Sequence, residues 1–94
     1  MPNETVSYWP NGEEMLMITE QNGTMFSGEI VPEMSPMSTE IVLGVLGSDN
    51  KTINMVDEDG YYWGEMISPT KMELFYHEVD MEGMAASAGM FEKM

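Results

Sequence analysis

The sequence predicts an all-β fold, an antiparallel meander of seven or eight strands forming a small closed or partly open barrel, and three observations carry that expectation. A hairpin-like phrase, Met17 to Ile30, recurs in shortened form as Met55 to Met66. Each copy alternates apolar and polar residues, turns on an acidic or amide-bearing stretch ending in Gly, returns through an aromatic-bearing strand and closes on Gly-Glu plus an apolar residue. Second, turn residues punctuate the chain every 8–12 residues or so, the spacing of short strands in a sandwich or barrel. Third, the segments between them are rich in β-branched and aromatic residues.

The elements follow in order. Asn3 to Trp9 alternates and is closed by Pro10-Asn11-Gly12, where Gly supplies positive φ. Glu14 to Glu20 puts Met15, Met17 and Thr19 on one face and Leu16 and Ile18 on the other, and two apolar faces predict burial on more than one side. Asn22-Gly23 predicts a primed turn, after which Met25 to Val31 runs back with Phe26, Gly28 and Ile30 facing one way. Pro32 to Ser38 holds two prolines and reads as a loop or irregular edge. Thr39 to Leu46 is the most hydrophobic strand; Gly47 to Asn50 turns the chain and Thr52 to Val56 returns. The Asp57-Glu58-Asp59-Gly60 turn leads into Tyr61 to Ile67, and Ser68-Pro69-Thr70 into Met72 to Val79. After a turn at Asp80 to Gly83, Met84 to Met94 reads as a last strand closing the barrel in preference to a short helix, because the open edge needs a partner.

At 94 residues the chain is one domain, 1–94, with a modest core and no cysteine to staple it. A hydrophobic share of 43% argues against wholesale disorder. Charge is lopsided: 17 acidic side chains face Lys51, Lys71, Lys93 and no arginine, a formal net charge of −14. A phosphate-binding surface needs clustered Lys or Arg, so nucleic acid is excluded as a partner, and anionic lipid is disfavoured on the same ground. The acids are scattered along the chain, which reads first as a solubilising surface. No apolar run approaches the ~20 residues of a membrane span and no signal-peptide pattern opens the chain. The expected setting is a soluble one, cytoplasmic or as a secreted mature domain, Met1-Pro2 being either a native start or the boundary left by a removed leader.

The order Gly23-x-x-Phe26-x-Gly28, Gly44-Val-Leu-Gly-x-Asp-x-Lys-Thr-Ile53, Asp57-x-Asp-Gly-Tyr61, Gly64-Glu-Met66 and Met72-Glu-Leu-x-Tyr76 resembles small prokaryotic β-barrel proteins of the lipocalin or avidin-like type. The resemblance spans Met15 to Val79, with Tyr8-Trp9 standing where such proteins carry a Gly-x-Trp strand. It implies a barrel and carries over no catalytic or binding residue.

Small barrels cup one apolar ligand with aromatic walls. Trp9, Phe26, Tyr62, Trp63, Phe75 and Tyr76 are the candidate ligand-binding residues of a non-enzymatic binding or interaction module, one that holds a small apolar ligand or self-associates as a homodimer through an edge. Tyr61 and Trp63 share one strand face and Tyr62 takes the other, so one aromatic side points away from the core, and an exposed aromatic patch would mark a partner or dimer contact. The alternative is soft-metal binding: Met15-x-Met17, Met34-x-x-Met37 and Met81-x-x-Met84, among 13 methionines, have the spacing of Cu(I) thioether clusters, which His77 could complete. Methionine is equally an adaptable core filler. A third reading centres an enzyme on His77, the single histidine, although no Gly-x-Ser-x-Gly elbow accompanies it. Asp57 to Gly60 fails the helix-loop-helix calcium pattern, because Gly60 as sixth residue places Met55 and Met66 at the first and twelfth ligand positions. No catalytic residue, metal ligand or cofactor is assigned.

Overall fold

The computed structural model describes residues 7–80 and 83–94. Eight strands, β1 (Ser7–Pro10), β2 (Glu14–Asn22), β3 (Met25–Pro32), β4 (Glu40–Leu46), β5 (Thr52–Val56), β6 (Gly60–Ser68), β7 (Lys71–Asp80) and β8 (Gly83–Glu92), form one antiparallel sheet in chain order. The sheet is a strongly curled half-barrel. The expected start of the first strand, Asn3 to Val6, and Met81 and Glu82 of the expected last turn lie outside the described residues.

Both copies of the repeated phrase are hairpins: β2–β3 pairs Met17 with Glu29 and Ile18 with Gly28, and β5–β6 pairs Met55 with Tyr62 and Val56 with Tyr61. The first turn sits one residue later than Asn22-Gly23 predicts. Asn22 still pairs with Met25, so Gly23 and Thr24 are the central residues and only Gly23 takes positive φ, at 63°. Glycine at the first central position suits a type II′ turn, and a bulge between Ile18 and Glu20 absorbs the shift. The two-proline segment holds a short 3-10 helix, Pro36–Ser38, outside the sheet.

Alternation decides which side of the curl is filled. Trp9, Leu16, Ile18, Phe26, Ile30, Val42, Ile53, Met55, Tyr62, Met72, Leu74 and Phe91 form the concave core. Each such side chain taken out of water contributes about 1.5–3 kcal/mol. The Trp9 indole N–H donates to Ser7 Oγ at 3.0 Å, which satisfies the one polar atom that ring brings inside. Gly64, also concave, lies so close to Leu74 of β7 that a Cβ there would run into the Glu73 carbonyl, so the tight curl between β6 and β7 requires glycine.

Two-sided burial of β2 is not what forms. Leu16 and Ile18 are buried while Met15 and Met17 are only partly covered and Thr19 is exposed, because among the described residues no second layer packs on the convex side. The same holds for β4, where Val42 is buried and Ile41, Leu43 and Val45 face outward.

The last segment is strand, and it closes the curl only at one end. Met94 N–H donates to Tyr8 carbonyl at 3.0 Å and Lys93 N–H to Thr70 carbonyl at 2.7 Å, while the Lys93 ammonium lies 5.9 Å from the Trp9 ring. Among the described residues β1 and β8 form no ladder with each other. Among the described residues no strand besides β7 pairs with the first half of β8. No helix among the described residues is long and apolar enough to cross a membrane.

Candidate functional site

Two surfaces concentrate the side chains with binding potential, one on each side of the sheet. On the convex side, register lines up apolar residues across neighbouring strands: Met25 opposite Val45, Leu43 opposite Val56, Val56 opposite Tyr61, Tyr61 opposite His77 and Trp63 opposite Phe75. Tyr61 and Trp63 are 50% and 51% exposed, Leu43 57% and Ile41 62%. The Tyr61 and His77 rings stack at 4.8 Å, and Trp63 meets Phe75 at 5.8 Å. A shallow groove of about 430 Å³ runs over this face between Met25, Leu43, Val45, Val56 and Tyr61.

On the concave side, the filled core stops short of one end. There a space of about 470 Å³ opens between Glu13, Glu14, Glu40, Asp57, Tyr76 and Ser87. In a meander alternate turns share an end, so the β1–β2, β3–β4 and β5–β6 connections all come to this mouth, while Lys51, Lys71 and Lys93 lie toward the other. Lys51 there pairs with Glu65 at 3.8 Å. Among the described residues the carboxylates at the mouth have no cation beside them, and several of their acidities are displaced. The Glu40 carboxyl group, bonding to Asp59 when protonated, then by burial and by the nearness of Asp57, is pushed up to about 8. Burial, with Glu13 and Asp57 beside it, raises Glu14. Tyr62 and Tyr76, rings 4.7 Å apart, are both raised, first by burial and then by the surrounding carboxylates. Tyr76 Oη donates to Glu78 at 3.4 Å. Asp57 Oδ1 accepts the Asp59 and Gly60 backbone N–H groups at 2.9 and 2.7 Å, which makes the acidic run a hairpin turn; its Oδ2 is shielded from solvent with no hydrogen-bond partner.

The six aromatic residues singled out from sequence do not line one pocket. Trp9, Phe26 and Tyr62 are core residues, Tyr76 stands at the mouth beside Tyr62, and Trp63 and Phe75 lie on the convex face. Among the methionines, Met15 and Met17 lie on the convex side of β2, Met34 and Met37 are fully exposed in the β3–β4 loop and Met84 is exposed on β8; Met81 lies outside the described residues. His77 sits on β7, five strands along the sheet from β2, so Met15 and Met17 do not converge with it, while Met84 lies on neighbouring β8, two residues from the Ala86 that opposes His77. His77 Nδ1 has no hydrogen-bond partner, and its ring is held by Tyr61, with no base–orienter pair around it among the described residues.

The acidic mouth is what sequence reasoning missed, since Glu14, Glu40 and Asp57 are far apart in the chain. A signal was available: once the meander is accepted, the ends to which alternate turns belong follow, and all three lysines fall at the end opposite Glu13, Glu14 and Asp57 to Asp59. Compared with models of known protein families, with curated proteins and with solved structures, the chain matches none.

Proposed function

We propose that this chain is a non-enzymatic interaction module that docks a protein partner on its convex face, around Leu43, Val56, Tyr61, Trp63 and Phe75. The observation that carries the reading is the register-aligned run of exposed apolar and aromatic side chains across β4 to β7. Contiguous apolar patches of this kind mark contact surfaces, and Tyr and Trp are the residues that most often anchor them. The apolar part of the concave side is filled by its own side chains and the space left open at its mouth is lined by carboxylates, which argues against a small apolar ligand held inside the curl. A net charge of −14 on every copy opposes self-association at long range, so the partner is a different chain.

The test places a photoreactive phenylalanine analogue at position 63, or at exposed Glu58 as a control, in the cells that make the protein. The expected result is a discrete crosslinked species from position 63 that the control lacks and that Leu43→Asp abolishes. Adducts at multiples of the chain's own mass would replace the heterologous partner with a second copy. No adduct beyond the control would refute the reading.

A further inference from the structure

We propose that the first half of β8, Met84 to Ala88, is a docking edge for an extended segment of a partner in which basic and apolar residues alternate. This goes beyond the convex-face reading and would stand without it. In an antiparallel pair, alternate residues of a strand bond to the neighbour while the rest turn their N–H and C=O groups the other way. β8 is paired with β7 from Lys71↔Glu92 to Asp80↔Gly83, among the described residues no second strand pairs with Met84 to Ala88, and beyond them the Asn11 side chain approaches Gly89. Met84 to Ala88 are all exposed. Strand edges are ordinarily protected by charges, prolines or bulges, and Met84 to Phe91 carries no charge, no proline and no break in register. Its small side chains let another backbone approach.

What the edge borders specifies the visitor. Side chains of an added strand would alternate between the two sides of the sheet. Those on the concave side would enter the space beside Ser87, where Glu13, Glu14, Glu40 and Asp57 meet no cation among the described residues and where Asp57 Oδ2 has no donor. Lysine or arginine at alternate positions supplies both the charge and the donor. Those on the convex side would lie next to Ala86 and Ala88, which oppose His77 and Phe75, so apolar side chains there would extend the existing aromatic rows. The raised pKa of Glu14 and of Glu40 agrees with carboxylates crowded without a counter-charge. A second copy of β8 would bring no positive charge to the mouth, which makes it the poorer occupant.

The experiment uses the whole protein and an end-capped (Lys-Val)4 peptide, with (Glu-Val)4 and a (Lys-Val)4 N-methylated at alternate residues on its bonding edge as controls. Binding is followed by fluorescence anisotropy across salt concentration, and amide hydrogen exchange locates it. The expected result is that (Lys-Val)4 binds, slows exchange at residues 84–88 and weakens with salt, that N-methylation weakens it at least about tenfold, and that (Glu-Val)4 does not bind. Equal binding by the N-methylated peptide would reduce the interaction to charge alone and overturn the proposal. So would the absence of (Lys-Val)4 binding, or protection of 84–88 that rises with protein concentration without peptide, which would assign the edge to a second copy.

Discussion

Replacing Glu40 by Gln should convert a pH-dependent stability into a flatter one. Glu40 is ordinarily a group of pKa 4.5 and in the folded chain is held at about 8, so the native state binds its proton more tightly than the unfolded state does. Its contribution is fully present below about pH 4.5 and is lost as pH rises through 8. Unscreened, that displacement would correspond to about 5 kcal/mol at about 1.36 kcal/mol per pH unit, but Glu40 is open to solvent in part, and screening reduces the net effect to about 1–2 kcal/mol. For a domain of this size each kcal/mol moves the melting temperature by about 4–8 °C. Thermal unfolding by circular dichroism, run for the wild type and Glu40→Gln in matched ionic strength from pH 5 to pH 9, reads the difference directly. The two proteins should melt together near pH 5, and by pH 9 the variant should melt at least about 4 °C higher. Comparing the two removes the general rise in self-repulsion as other acids ionise. Parallel curves, or a variant that loses ground at high pH, would show that the carboxylates of Glu40, Asp57 and Asp59 do not crowd one another at the mouth.

Gly64→Ala should cost about 1–3 kcal/mol in urea unfolding, because the new methyl meets the Glu73 backbone carbonyl, which has no rotamer to escape into. Ser7→Ala should cost about 1–3 kcal/mol by leaving the buried Trp9 indole N–H without its acceptor, with Ser7→Thr retaining part of the loss if the hydroxyl keeps its place; thermal melts distinguish the two. Trp63→Ser should cost about 1–2 kcal/mol, since the half-exposed ring loses its pairing with Phe75, while Phe91→Ala, at 1% exposure, should lose about 3–5 kcal/mol.

The hairpins were legible because turn chemistry and alternation act over a few residues. Thr52 to Val56 follows from the Gly47 to Asn50 turn, in which the Asp49 carboxylate accepts the Thr52 and Lys51 backbone N–H groups at 2.9 and 2.8 Å and is lowered to about 2 by those bonds. Alternation also establishes that Tyr61 and Trp63 oppose Tyr62, yet it does not say which side the sheet will curl toward. That choice is collective: it depends on where residues such as Gly64 allow strands to close up, and it sends Trp63 and Phe75 outward while Tyr62 goes in. The mouth is a step further from the sequence, since Glu14, Glu40 and Asp57 meet only after twist and register have accumulated over β2 to β5.

That sheet order equals chain order bears on how the molecule forms. Among the described residues every ladder joins strands adjacent in sequence, so none of these pairings has to wait for a distant segment to arrive, and each loop closure spans a short connection. Folding rates of all-β proteins are limited by non-local pairing, and this topology holds little of it. The chain is expected to fold toward the fast end of its class by zipping one hairpin onto the next, the sticky edge of each strand before β8 being covered within the time a hairpin takes to close, about 1–10 μs.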